Sequence, residues 1–175
     1  IAVGIVLGSL IGAFAARVVQ MTAMPEMVAL FNGFGGIASL LVGWAEYQKL
    51  HATQNGESIA DKVVEVMRSA TGAGDWPVAT LVAIFATVLI GGITFTGSVI
   101  AWAKLSGKIS SKPFLFPGQK VLNGLLLVGA LVCGVLYSFS GPEGIVEAKY
   151  GLFIALVIIS LILGILAVVS IGGGD

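Results

Sequence analysis

The sequence predicts an all-α protein, a polytopic transmembrane helical bundle of about five membrane-spanning helices with one short amphipathic surface helix. Three observations predict it. Of the 175 residues, 57% are hydrophobic and only 10% are charged, against about 25% charged in an ordinary soluble domain. The charges cluster in a few short segments separated by long apolar runs, as a chain solvated by lipid requires, because a charge in the hydrocarbon core costs several kcal/mol. Five of those runs reach the length of about 20 residues that crosses a bilayer as a helix. They lack a two-residue alternation and are too long for barrel strands.

The five runs follow in order. The first covers about 1–19. The second, about 25–44, opens on Pro25, which the first turn of a helix tolerates. The third, about 76–105, is longer than a straight crossing needs and is expected to tilt or extend past the membrane. The fourth covers about 121–139 and the fifth about 150–171. Between the second and third lies the one long polar loop. It holds the turn signal Asn55-Gly56 and then Ser58-Ile59-Ala60-Asp61, which resembles a capping box. Ile59, Val63, Val66 and Met67 recur at helical spacing with Asp61, Lys62, Glu65 and Arg68 between them, so a surface amphipathic helix is expected over 57–71, ended by Gly72 and Gly74. Ile1 opens directly into a membrane run, and Ile171-Gly172-Gly173-Gly174-Asp175 reads as a loop about to continue. The segment is therefore expected to be part of a longer protein.

Charge sets the orientation. One side carries Arg17, Lys104, Lys108, Lys112 and Lys120, opposed only by Glu26 and Asp175. The other carries Lys49, Lys62, Arg68 and Lys149 among seven acids: Glu46, Glu57, Asp61, Glu65, Asp75, Glu143 and Glu147. The loop from Lys104 to Lys120 is thus expected on the cytoplasmic or matrix side. Trp44, Trp76 and Tyr150 fall at the opposite boundary and Trp102 near the basic one, in the pattern of an aromatic belt. A net charge of zero points to no nucleic-acid partner. Cys133, the single cysteine, reads as a small apolar residue.

Gly4, Gly8 and Gly12 form a doubled GxxxG pattern, which predicts close packing of the first helix on a neighbour. In the second, Asn32, Gly36, Ser39 and Gly43 share one face. In the third, Thr80, Thr87, Gly91, Thr94 and Ser98 share a face, and Thr96 points the other way. Two readings stay open: interhelical hydrogen bonding with small-residue packing, or the polar lining of an ion or proton path. If the two stripes met, a weakly polar seam able to hold waters would result. No Asp, Glu, Lys, Arg or His lies deep inside a run. Glu26, at the start of the second helix, suits that helix's N-terminus or a functional role, and His51 reads as a loop histidine. A proton relay needs a titratable group at depth, which would come from another chain or from residues outside this segment. Gly33, Gly35 and Gly36 sit inside a helical run and form no nucleotide fingerprint. No catalytic, cofactor-binding or metal site is expected in these residues.

The segment Met21-Thr22-Ala23-Met24-Pro25-Glu26-Met27-Val28-Ala29-Leu30-Phe31-Asn32-Gly33-Phe34 resembles the membrane domain of the β subunit of proton-translocating NAD(P) transhydrogenase. So do the stretch from Gly92 to Ala101, the stretch from Lys104 to Pro113 with Pro117 and Asn123, and Ser170 to Asp175. The resemblance covers essentially the whole chain. It implies a proton-conducting membrane domain that couples proton movement to hydride transfer between NAD(H) and NADP(H) on soluble domains not contained here. It also implies an α-type subunit with its own membrane helices, an NADP(H)-binding domain further along the same chain, a dimer of the whole complex, and a bacterial plasma membrane or mitochondrial inner membrane. Many relatives carry a proton-transferring histidine where this chain has Asn32. The expectation is therefore that Asn32 orients water or a partner's histidine. The proton-pathway candidates are Asn32, Ser39, Thr87, Thr94 and Ser98, and the coupling candidates are Glu26 and Asp175, which match acidic positions of the family. The alternatives are a secondary transporter or ion-channel bundle, which would need broken helices at the midplane, and a scaffold subunit with no pathway.

Overall fold

The computed structural model describes residues 2–55, 78–139 and 146–172. Every regular element among them is helical. Helix α1 spans Ala2–Val18, a short 3-10 turn covers Met21–Ala23, and α2 spans Met24–Asn55. Helices α3, α4 and α5 span Val78–Leu105, Gln119–Phe139 and Val146–Val169. The surface helix expected over 57–71 lies outside the described residues.

Local chemistry accounts for the ends. Pro25 occupies the second position of α2, where its missing N–H costs nothing. From Ala45 to Asn55 no glycine or proline interrupts the chain, so α2 continues past Trp44, where the apolar run expected over 25–44 stops, through a polar extension carrying an exposed Glu46–Lys49 pair (2.6 Å). Helix α3 follows Pro77 and stops at Leu105. Gly107, at φ 67°, then takes the left-handed conformation that glycine adopts without a Cβ penalty. Gly118, at φ 89°, makes the corresponding turn into α4, and its carbonyl accepts the Leu122 N–H at 2.9 Å.

Among the described residues, four stretches are long and apolar enough to cross a membrane: Met21–Lys49, Thr80–Leu105, Gln119–Leu136 and Tyr150–Val169. Helix α1 has 17 residues, a rise of about 25 Å. That falls somewhat short of a hydrocarbon core of about 30 Å. The chain is an integral membrane bundle in which α2 packs on α3, α3 on α5, and α5 on α4, with a lighter contact between α3 and α4. Helix α1 packs on none of them. None of its residues is buried, and a Cβ at Gly4, Gly8 or Gly12 would meet nothing within 4 Å. The close packing expected of these glycines is not made within this segment, because no described helix presents a face to them.

The core lies toward the acidic side, built from Leu40, Ile84, Val88, Leu89, Leu156 and Val157 around two aromatics, Tyr47 and Phe153. Tyr47 stacks on Phe153 at 4.0 Å between ring centroids, and Trp44 meets Phe153 edge-on at 5.4 Å. Tyr47 also meets Tyr150, with ring centroids 6.2 Å apart, so Trp44 and Tyr150 belong to an aromatic cluster that joins the α2 and α5 ends.

Candidate functional site

Glycine brings α2 and α3 together. A Cβ on Gly36 would stand 2.6 Å from the Phe95 backbone nitrogen, and one on Gly91 would stand 2.7 Å from the Leu40 nitrogen. Both are closer than Cβ contacts allow, so the two backbones touch directly. Gly43 lies likewise against Val88, and Gly33 against the Ser98 side chain. The seam thus runs antiparallel along Gly33, Gly36, Leu40 and Gly43 on one side and Ser98, Phe95, Gly91, Val88 and Ile84 on the other.

One interhelical polar contact closes the basic end of this seam. Asn32 Nδ2 donates to Ser98 Oγ at 2.8 Å. Ser98 is buried, whereas Asn32 sits on the exposed outer shoulder of α2. A hydroxyl and an amide both donate and accept, so the pair makes one bond to each other and keeps further capacity. A primary amide and a hydroxyl do not titrate in the physiological range. This arrangement passes hydrogen bonds along and orients water, but it cannot hold a proton of its own.

The other sequence candidates fall differently. Ser39, also exposed, donates back to the Gly35 carbonyl of its own helix at 3.0 Å, the local bond that Ser makes in membrane helices. Thr87 and Thr94 are half-buried along α3, with the Thr87 methyl 3.5 Å from where a Gly43 Cβ would be. Glu26 is half-buried in the first turn of α2. Asp175 lies outside the described residues. The face of small and polar residues on α2 therefore divides: Gly36 and Gly43 enter the seam, while Asn32 and Ser39 stay at its edge. Thr96 faces α5, donating to Leu161 O at 2.8 Å and to Gly92 O at 3.1 Å.

A second polar cluster, at the basic end of the bundle, escaped the sequence reading. Lys104 ends α3, is 5% exposed, and donates from Nζ to three carbonyls at the end of α5: Val168 O (3.1 Å), Val169 O (2.8 Å) and Ile171 O (2.5 Å). Gln119 Nε2 donates to Leu166 O at 3.0 Å, and the Phe114 N–H donates to Val169 O at 3.1 Å. Leu166, Val168 and Val169 lie among the last four residues of α5, whose carbonyls have no partner within the helix, and Ile171 lies just beyond it. In the sequence, Lys104 is one charge in a basic loop, and nothing local distinguishes it from Lys108, whose ammonium sits 3.9 Å over the Trp102 ring.

The family model of the NAD(P) transhydrogenase beta subunit matches residues 1–175. The chain belongs to this family. Two curated transhydrogenase beta sequences from Rhodospirillum rubrum, one of them from a named strain, are each 34% identical to it over 175 residues. The alignment takes in 100% of this chain and 33% of each relative, so the chain spans about a third of the length of the relatives it matches. In this transhydrogenase segment α2 and α3 meet backbone to backbone at Gly36 and Gly91.

Proposed function

We propose that this segment is the proton-conducting part of the transhydrogenase membrane domain, coupling proton movement across the bilayer to hydride transfer between NAD(H) and NADP(H) bound on domains outside it. The observation that carries the reading is the Asn32–Ser98 hydrogen bond. It places a bridging, non-titrating polar pair between two membrane helices otherwise closed by glycine contacts. Asn32 keeps its outer side exposed, where a membrane helix of an α-type subunit or another helix of the longer chain would supply the titrating group. A histidine is the chemistry that fits, since its charge changes near neutral pH.

Ser39, Thr87 and Thr94 line the remainder of the route with hydroxyls that hold water rather than protons. Glu26, and Asp175 beyond the described residues, serve the coupling to the NADP(H) domain on the basic side. That side faces the cytoplasm or matrix of a bacterial plasma membrane or mitochondrial inner membrane. The whole complex works as a dimer.

The test uses the full complex in sealed liposomes, with NADPH and an NAD analogue as hydride acceptor. Internal pH and acceptor reduction are followed together. Internal acidification abolished by an uncoupler, with faster acceptor reduction, is expected. Hydride transfer with no pH change would reduce the bundle to an anchor.

A further inference from the structure

The Lys104 cluster invites a role beyond holding the bundle together. A lysine ammonium has three N–H donors and no acceptor. All three are used on Val168 O, Val169 O and Ile171 O. Two of these carbonyls belong to the last turn of α5 and the third to the chain leaving it. A cation placed there also meets the negative end of the helix dipole. Among the described residues no carboxylate pairs with Lys104, so the helix end itself serves as its counter-charge. Ser111 Oγ adds a longer bond, 3.4 Å, to the Lys104 carbonyl, and Phe114 N–H shares the Val169 carbonyl, so the α3–α4 loop is drawn into the same knot.

Two features separate Lys104 from an ordinary cap. It reaches past the helix to Ile171, so it holds the chain where it leaves α5, at Ile171 and Gly172. It also stands on the same helix as Ser98, six residues away, a rise of about 9 Å along α3. A displacement of α3 that accompanied a change in the Asn32–Ser98 bond would move the exit of α5 with it. Gln119 offers the contrast: it bonds Leu166, inside α5, and leaves the exit untouched.

We infer that Lys104 is a positioning residue for coupling, a strut that ties the departure of the chain from α5 to the helix carrying Ser98. This rests on the proposed function above and adds to it the element through which the membrane pair reaches the basic side.

The experiment measures the ratio of protons taken up to hydride transferred, with the full complex in liposomes, for wild type, Lys104→Met, Lys104→Arg and Gln119→Leu. Thermal unfolding midpoints and uncoupled hydride transfer are taken on the same preparations. Lys104→Met is expected to lower the ratio by about twofold or more, the range for a residue that modulates coupling while touching neither ligand. Uncoupled hydride transfer should persist. Lys104→Arg, which keeps the charge and the donors, should restore the ratio. Gln119→Leu should lower the unfolding midpoint and leave the ratio unchanged. Should Lys104→Met not assemble, Lys104→Gln carries the same expectation, since it keeps two N–H donors and loses the charge. A wild-type ratio in a stable Lys104→Met or Lys104→Gln complex would overturn the assignment, as would an equal fall in Gln119→Leu. A wild type that transfers hydride without moving protons would overturn the proposed function, and the role of Lys104 with it.

Discussion

Asn32 and Ser98 hold one hydrogen bond between them, and its weight in stability and in function should differ sharply. Interhelical hydrogen bonds in membrane proteins average about 0.6 kcal/mol. Asn32→Ala should therefore barely shift the thermal midpoint of the purified complex. Coupled proton uptake should fall by about tenfold to a hundredfold, the cost of misplacing a group that orients the reacting partners. Midpoint and uptake measured on one preparation check both halves. A normal uptake rate would end the assignment of Asn32 to the pathway. Ser39 bonds only its own helix, so Ser39→Ala should have a smaller effect on uptake than Ser98→Ala, checked in the same assay.

At the scale of the element, the glycine seam is where small changes should cost most. A Cβ at Gly36 would stand 2.6 Å from a backbone nitrogen, which has no freedom to swing aside as a side chain would. Gly36→Val should therefore destabilise the complex by about 1–3 kcal/mol, the usual cost of overpacking, and lower its unfolding midpoint. Phe153 is the aromatic hub of the α2–α5 contact, 1% exposed. Lipid is as apolar as the core, so truncation there loses packing more than it loses burial. Phe153→Ala should accordingly cost about 3 kcal/mol, the low end for a core Phe→Ala change, measured by the same unfolding midpoint. Helix α1 shows the limit of local pattern. Its three glycines spell a packing motif, yet a motif of this kind describes a surface and does not name the helix that will meet it.

For the whole molecule, orientation is the property a single measurement decides. Ser110 lies exposed in the lysine-bearing α3–α4 loop. In a background of the full protein with every cysteine, Cys133 included, replaced, Ser110→Cys should react with a membrane-impermeant maleimide in inverted vesicles and be protected in intact spheroplasts. The reverse pattern would place the basic loop outside and undo the assignment of sides.

Composition and the spacing of apolar runs were enough to establish a helical membrane bundle, because the bilayer leaves a chain of this hydropathy few other ways to satisfy its backbone. The long motifs around Pro25, Thr94 and Gly107 were enough to place the family. The seam residues were also legible as small and polar stripes on α2 and α3. The same pattern could not show that Gly36 and Gly43 go in while Asn32 and Ser39 stay out, since a few tens of degrees of helix rotation make that difference. Nor could it show that Lys104, alone among the basic residues of its loop, turns inward to the end of α5. Both are settled by which helices meet and at what depth. That depends on backbones more than sixty residues apart in the chain, and no local spacing encodes it.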